Sequence, residues 1–263
     1  MPAKWVHRFE RKPGRWVFQP SDDARREGAE VKAEVERRWR APSYYFHLRR
    51  GGHVAALKRH QSNKSFVKVD IADFFGSISR SRLSRVLREY FSHSEARRIA
   101  TASTVQHPDA AGRQVLPYGF NQSPLLASLA LHKSALGRYL DELHEGRQVV
   151  VTVYVDDIIV SGTNGAHLSA LLMTLKERAA RSRFLLNEEK EQGPASSISA
   201  FNIQLEQDNP LAVLPERFAE LQKSHQTAHS EPQRAGIHGY VRSVNPIQAD
   251  LLLDGIGLIS KDG

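Results

Sequence analysis

The sequence predicts an α+β fold: an antiparallel βαββαβ sheet with helices on one face and the other face open. Three observations carry this. Two β-branched runs, Val149–Val155 and Ile158–Ser161, flank the pair Asp156-Asp157 and read as a buried hairpin. A second apolar strand, Ser65–Ile71, carries another acid, Asp70, near its end. Leucine-rich stretches at helical spacing fill the intervals, giving the order strand, helix, helix, strand-turn-strand, helix, strand.

The acids set the chemistry. Adjacent carboxylates repel, and burying even one unpaired charge costs several kcal/mol. A solvated turn is the competing reading of Asp156-Asp157 taken alone. Alternation along the other strand weakens it. Val67, Val69 and Ile71 share one face, and Phe66, Lys68 and Asp70 share the other. Asp70 therefore leaves the core face and meets Asp156 if the strands lie side by side. A carboxylate cluster at the end of apolar strands calls for a hard cation, Mg²⁺ first.

From the N-terminus, Arg8–Pro20 reads as a basic hairpin turned at Pro13-Gly14, with Lys12 and Arg15 suited to a triphosphate or a template backbone, or simply exposed. Residues 22–40 read as a charged helix with a stripe at Val31, Val35 and Trp39. Ser43–His53 interleaves aromatic and basic residues, which suits either nucleic-acid contact or a core strand entering a Gly turn. His47, His53 and His60 lack metal spacing and read as structural.

A helix is expected from about Ser81, with Leu83, Val86, Leu87, Tyr90 and Phe91 inward, and a short one over about 94–102. In Leu116–Pro124, Gly119 allows close approach of a ligand, Ser123 is an N-cap and Pro124 the first helical residue. Leu125, Leu129, Leu136, Leu140 and Leu143 then mark one long helix. Asn164 caps a helix carrying Leu168, Leu171, Leu172 and Leu175. A Gly-Pro turn follows Lys190, Ser199–Glu206 reads as a strand, and 215–263 as two or three small helices. His225 and His229, at i and i+4, read as structural because no third ligand is fixed beside them.

With 263 residues the chain can bury a proper core. It has no Cys, which excludes disulfides and cysteine zinc sites. No apolar run approaches the roughly 20 residues of a bilayer span, and the N-terminus lacks a signal-peptide core, so a cytoplasmic protein without a membrane partner is expected. The net charge of +8 is localised. Residues 1–64 hold 16 Lys/Arg against 7 Asp/Glu, and the rest of the chain is nearly neutral. Beside an acidic metal cluster, such a segment suits polyanions.

Taken in order, these stretches resemble reverse transcriptases, bacterial ones in particular. Phe66–Phe75 is similar to motif A, Leu116–Pro124 to motif B, Tyr154-Val155-Asp156-Asp157 to motif C, Phe184–Lys190 to motif D and Phe201–Leu205 to motif E. The resemblance covers about residues 8–206. It implies a right-hand polymerase fold, with fingers at 1–64 and 80–115, palm at 65–79 and 116–213, and a short helical thumb at 214–263. It implies two Mg²⁺ ions, or Mn²⁺ in their place, held by Asp70, Asp156, Asp157 and the Ile71 carbonyl. Lys190 would neutralise or protonate the leaving pyrophosphate. Phe75 matches a steric gate that favours dNTPs. Lys12, Arg15, Phe75, Tyr118, Gly119 and Gln122 would contact the nucleotide. One departure stands out: Tyr118 occupies the position after the motif B Pro where the family commonly has Gln, with Gln122 four residues on.

The expected function is RNA-directed DNA polymerisation on an RNA template or with a non-coding RNA partner. The absence of retron hallmarks outside the palm points to the compact defence-associated and Abi-like groups, and hence to anti-phage defence by analogy. A homo-oligomer or an accessory protein would complement the short thumb. Two alternatives stand: template-independent or protein-primed DNA synthesis, and a catalytically silent nucleic-acid-binding scaffold.

Overall fold

The computed structural model describes residues 3–254; the last part of the expected C-terminal helical segment, 255–263, lies outside the described residues. The basic hairpin forms as β1 (Trp5–Lys12) and β2 (Arg15–Pro20). It leads into α1 (Asp22–Arg38). Ser21 Oγ accepts from the Ala24 N–H there, Asp22 and Asp23 sit in the first turn, and Arg37 and Arg38 sit in the last, the charge order that the helix dipole favours. Val31, Val35 and Trp39 are buried as the stripe requires.

Ser43–His53 is not a strand. Tyr44, Tyr45 and Phe46 are all buried, and the Tyr45 N–H donates to the Pro42 carbonyl at 3.1 Å, a local turn bond and not a ladder bond. The chain instead coils through a single 3₁₀ turn (Phe46–Leu48) into α2 (Gly52–Lys58), and Tyr45 makes only an isolated bridge to Val153.

Next come β3 (Ser65–Asp70), α3 (Arg80–Leu87) and α4 (His93–Ala102), the last with a Ser92/Glu95 capping box. A small hairpin, β4 (Val105–Gln106) with β5 (Gln114–Val115), precedes α5 (Ser123–His132) and α6 (Ala135–Gly146). The single long helix expected here is thus two, and α5 starts at Ser123 with Gln122 in the cap position. Ser134 breaks the leucine pattern by capping α6, its Oγ accepting from the Gly137 N–H at 3.1 Å. Gly137 makes the corner possible, because a Cβ there would lie 2.1 Å from the Leu131 carbonyl oxygen.

The hairpin β6 (Val150–Tyr154) and β7 (Asp157–Gly162) leads into α7 (Gly165–Arg181), capped by Asn164 Oδ1. The four-stranded sheet has the order β6-β7-β3-β8, all antiparallel, with β8 (Gln192–Ala195) at one edge. The segment expected to be a Gly-Pro turn is therefore the fourth strand. Its edge position tolerates Pro194, since an edge strand can spare one N–H. Ser199–Glu206 is not one strand but part of a hairpin. β9 (Ser197–Ala200) and β10 (Ile203–Glu206) turn at Phe201 and Asn202, whose φ values of +57° and +60° suit a tight hairpin turn, and β11 (Ala212–Val213) completes a second sheet. Three helices close the described chain: α8 (Pro215–Gln226), α9 (Glu231–Val244) and α10 (Pro246–Asp254). His229 falls beyond the end of α8, so it does not form a helical pair with His225.

Val67 and Val69 join the main core with the leucines of α5, α6 and α7. The opposite face is not fully open. Phe66 and Ile159 belong to a second core with Ile198, Ile203, Leu221 and Val241. Hydrophobic cover at the Phe66 end leaves the Asp70 end of this face as the place where polar groups gather. Among the described residues, no helix is long and apolar enough to cross a membrane.

The α5–α6 corner gives a paired test. Gly137→Ala is expected to destabilise the protein by about 2 kcal/mol or more in urea unfolding, because backbone must move. Gly146→Ala, with open space around its Cβ position, should be neutral or stabilising by up to about 1 kcal/mol.

Candidate active site

Asp70 ends β3 and pairs in register with Asp157, the first residue of β7. Asp156 occupies the β6–β7 turn, and its carbonyl accepts from the Ile71 N–H at 2.9 Å, tying the two stretches together. One carboxylate oxygen from each of Asp70, Asp156 and Asp157 lies within 4.8 Å of the others. The three acids that sequence reasoning singled out are thus one cluster.

The turn that carries Asp156 is strained. Val155 has φ +59°, a region that β-branched residues avoid. Its N–H donates to His47 Nδ1 at 2.9 Å, and the His47 Nε2–H donates to Ser128 Oγ at 2.7 Å. Burial pushes the His47 pKa down to about 4, so the ring is neutral near pH 7 and Nδ1 stays an acceptor. His47 therefore holds the acidic turn. Nothing in the sequence marks it for this, since its partners lie far along the chain. His60 is structural: fully buried, with its ring nitrogens on Ser161 Oγ and Thr152 Oγ1, and with its pKa pushed down to about 3 by burial.

Each carboxylate has its own cation. Lys190 Nζ lies 3.1 and 3.0 Å from the two oxygens of Asp70. The Arg15 guanidinium lies 3.6 Å from Asp156, and Lys68 Nζ lies 3.4 Å from Asp157. Lys68 was not among the expected site residues, although the alternation that placed Asp70 puts Lys68 on the same face. Burial raises the Asp156 pKa, and the neighbouring Asp70 raises it further. Burial also pushes Asp157 up to about 6, with Lys68 opposing and the two other acids adding. The donor set is all oxygen, and Asp156 and Asp157 resist ionisation, so the cluster fits a hard divalent cation.

Arg15 organises a second layer. It donates to Tyr118 Oη at 3.1 Å and lies 4.8 Å from the centre of that ring. Phe75 packs edge-on against Tyr118, with ring centres 4.5 Å apart, and is itself buried. Arg15, Tyr118 and Phe75 thus form one stack beside Asp156. Three other expected contacts lie differently. Lys12 is exposed, and its side chain makes no ion pair or hydrogen bond among the described residues. Gly119, at φ +101°, serves close approach of protein rather than ligand: its Cβ would lie 2.1 Å from the Phe18 carbonyl oxygen, where the Phe18 N–H bonds to the Tyr118 carbonyl. Gln122 is buried, its Oε1 has no hydrogen-bond partner among the described residues, and a Cβ on Gly28 of α1 would meet that oxygen at 2.4 Å.

The folded protein holds the Asp157 proton more tightly than the unfolded chain does. The protonated form therefore contributes stability below about pH 4, and this is lost as pH rises through about 6. In EDTA, Asp157→Asn is expected to gain stability relative to the parent protein between pH 4 and 7. The gain should reach at most about 3 kcal/mol. Urea unfolding at several pH values measures it, and the slope of the difference, not its offset, carries the test.

A family description matches residues 17–205: reverse transcriptase (RNA-dependent DNA polymerase). No curated protein matches the chain in sequence. Among solved structures, the chain is similar to a foamy viral protease–reverse transcriptase in complex with double-stranded DNA (TM-score 0.51, 14% identity), covering 97% of this chain and 39% of that one. It also matches a telomerase from Candida albicans (TM-score 0.44, 9% identity, 89% and 44%) and the foamy viral enzyme with an RNA/DNA hybrid (TM-score 0.45, 14%, 76% and 25%). The chain thus spans about two-fifths of the first of these structures, which supports the fold. Because the family description covers most of the sequence, carboxylate cluster included, the chain belongs to the reverse transcriptase family.

Proposed function

We propose that the protein is an RNA-directed DNA polymerase that adds dNTPs to a primer 3′ end. The observation that carries the reading is the cluster of Asp70, Asp156 and Asp157, three acids from two distant stretches within 4.8 Å, inside a chain of this family. In this reading residues 1–64 and 80–115 act as fingers, 65–79 and 116–213 as palm, and 214–263 as thumb. Asp70, Asp156, Asp157 and the Ile71 carbonyl would hold two Mg²⁺, or Mn²⁺ in their place, supplying charge neutralisation at the attacking and leaving oxygens.

The chain's own groups do the rest. Lys190, on Asp70 in the free protein, would neutralise or protonate the leaving pyrophosphate once Asp70 is otherwise compensated. Arg15, held by Tyr118, offers a guanidinium to the triphosphate, a fork suited to phosphate oxygens. Phe75, packed edge-on against Tyr118, would form the wall against which the sugar packs and would disfavour a 2′-hydroxyl. Lys68 positions Asp157, and His47 positions the turn. The basic residues of 1–64 favour an RNA template or a non-coding RNA partner. By analogy with the compact defence-associated and Abi-like reverse transcriptases, the protein would serve in anti-phage defence.

The test is a polymerase assay on purified protein with its co-purifying nucleic acid, using labelled dNTPs or NTPs with Mg²⁺, before and after RNase. Sequencing should give DNA complementary to the bound RNA. Low-complexity DNA unrelated to that RNA would move the protein to template-independent or protein-primed synthesis. Asp156→Asn should lower incorporation by ~10³-fold with the melting temperature retained. Phe75→Val should lower the preference for dNTPs over NTPs by at least about tenfold, read as a ratio within one preparation so that any loss of stability cancels.

A further inference from the structure

We propose that the outer edge of β6 carries a second binding groove, for the sugar-phosphate backbone of a single-stranded nucleic acid. It is built by Arg49, Arg50, Arg59 and Arg147 around Tyr44 and Phe46. These residues line a cavity of about 750 Å³ floored by Val149, Val150 and Val151. The four arginines are exposed, and none makes an ion pair among the described residues. Arg49 donates to the Ser43 carbonyl and lies over the Phe46 ring. The nearby carboxylate Asp141 is already engaged by Tyr44 Oη and His132. Four guanidiniums around one cavity repel each other unless an anion joins them, and their planar forks suit phosphate oxygens.

Two further features favour a strand over a single small anion. A neighbouring cavity of about 390 Å³ shares Ser43 and Arg49 and adds Arg40, so the basic surface is longer than one nucleotide. Its one acid, Glu36, is paired with Lys32. The sheet edge also contributes backbone groups. The Val153 N–H points outward to the Tyr44 carbonyl at 2.8 Å. By the two-residue alternation, the Val151 N–H and carbonyl face the same side, where among the described residues no strand pairs with them. An edge donor and acceptor between arginines can follow a polar backbone without reading sequence.

The groove is separate from the carboxylates. Six residues along the hairpin part Val150 from Asp156, roughly 20 Å at strand rise. The proposal also stands apart from polymerase activity, because the groove should bind in EDTA without nucleotides.

The experiment uses the full chain, 4-thiouridine- or 4-thiothymidine-substituted 20-mers of RNA and DNA, and EDTA. After irradiation, adducts are mapped by mass spectrometry. We expect adducts within residues 40–59 and 144–151. They should be lost when Arg50, Arg59 and Arg147 are all changed to Ala. The triple variant should also bind the oligomers at least tenfold more weakly near 0.1 M salt, with the slope of log K against log[salt] reduced by about 2. A control with Arg85, Arg88 and Arg181 changed to Ala, all exposed, should keep the adducts. The oligomer that loses more affinity identifies the source, RNA template or DNA product. Adducts only elsewhere, or groove adducts that survive the triple substitution, would overturn the proposal. So would Arg-dependent capture of a 20-residue polyglutamate in preference to either oligomer. A failed polymerase assay with these expected adducts would leave the groove standing.

Discussion

Three carboxylates held within 4.8 Å of one another make an arrangement that opposes its own folding. Everything near it compensates that repulsion. Asp70, Asp156 and Asp157 are anchored by strand pairing and by the Ile71 N–H bond to the Asp156 carbonyl. Lys190, Arg15 and Lys68 each supply one positive charge. Three anions and three cations leave the free site close to neutral. These cations come from three parts of the chain: a short helical turn after α7, the N-terminal hairpin, and β3 itself. The acidic site therefore gathers the fold around it as much as the core does.

The same constraint explains how the sheet is covered. An apolar strand that ends in an acid has to be dry at one end and polar at the other. On β3 this division falls within a single face, with Phe66 in the second core and Asp70 at the polar end. The β9–β10–β11 sheet and the helices after it cover the Phe66 end and leave the carboxylates reachable. Lys68, between the two, is largely buried yet ends on Asp157 and the Ser199 carbonyl, the stem serving one environment and the ammonium the other.

What could be read from the sequence divides along physical lines. The acids were legible because strand alternation is strict, and the same rule pointed at Lys68. The basic hairpin was legible from Pro13-Gly14, but not the reach of Arg15 to Asp156, which depends on Gly119 letting the Phe18 backbone dock. Leucine periodicity overran Ser134, because a helix pattern can continue in register across a tight corner. Gly193-Pro194 looked like a turn because the edge position that excuses Pro is a property of the sheet and not of the segment. Phe201 hid a hairpin turn because aromatic residues rarely take a left-handed backbone. His47 was out of reach altogether: a histidine bound to one backbone N–H and one serine leaves no spacing to find.

That histidine separates two responses to acid. The charge of the cluster changes as Asp157 takes its proton near pH 6, while the His47 ring keeps Nδ1 free to accept until about pH 4. Between those values the Val155 N–H keeps its His47 acceptor while the cluster loses negative charge. Below the lower one, a protonated ring can no longer accept from Val155, and the left-handed backbone there loses its restraint. Acidification thus removes charge first and geometry second. The first loss reverses simply on raising the pH, whereas the second also requires the strained turn to re-form.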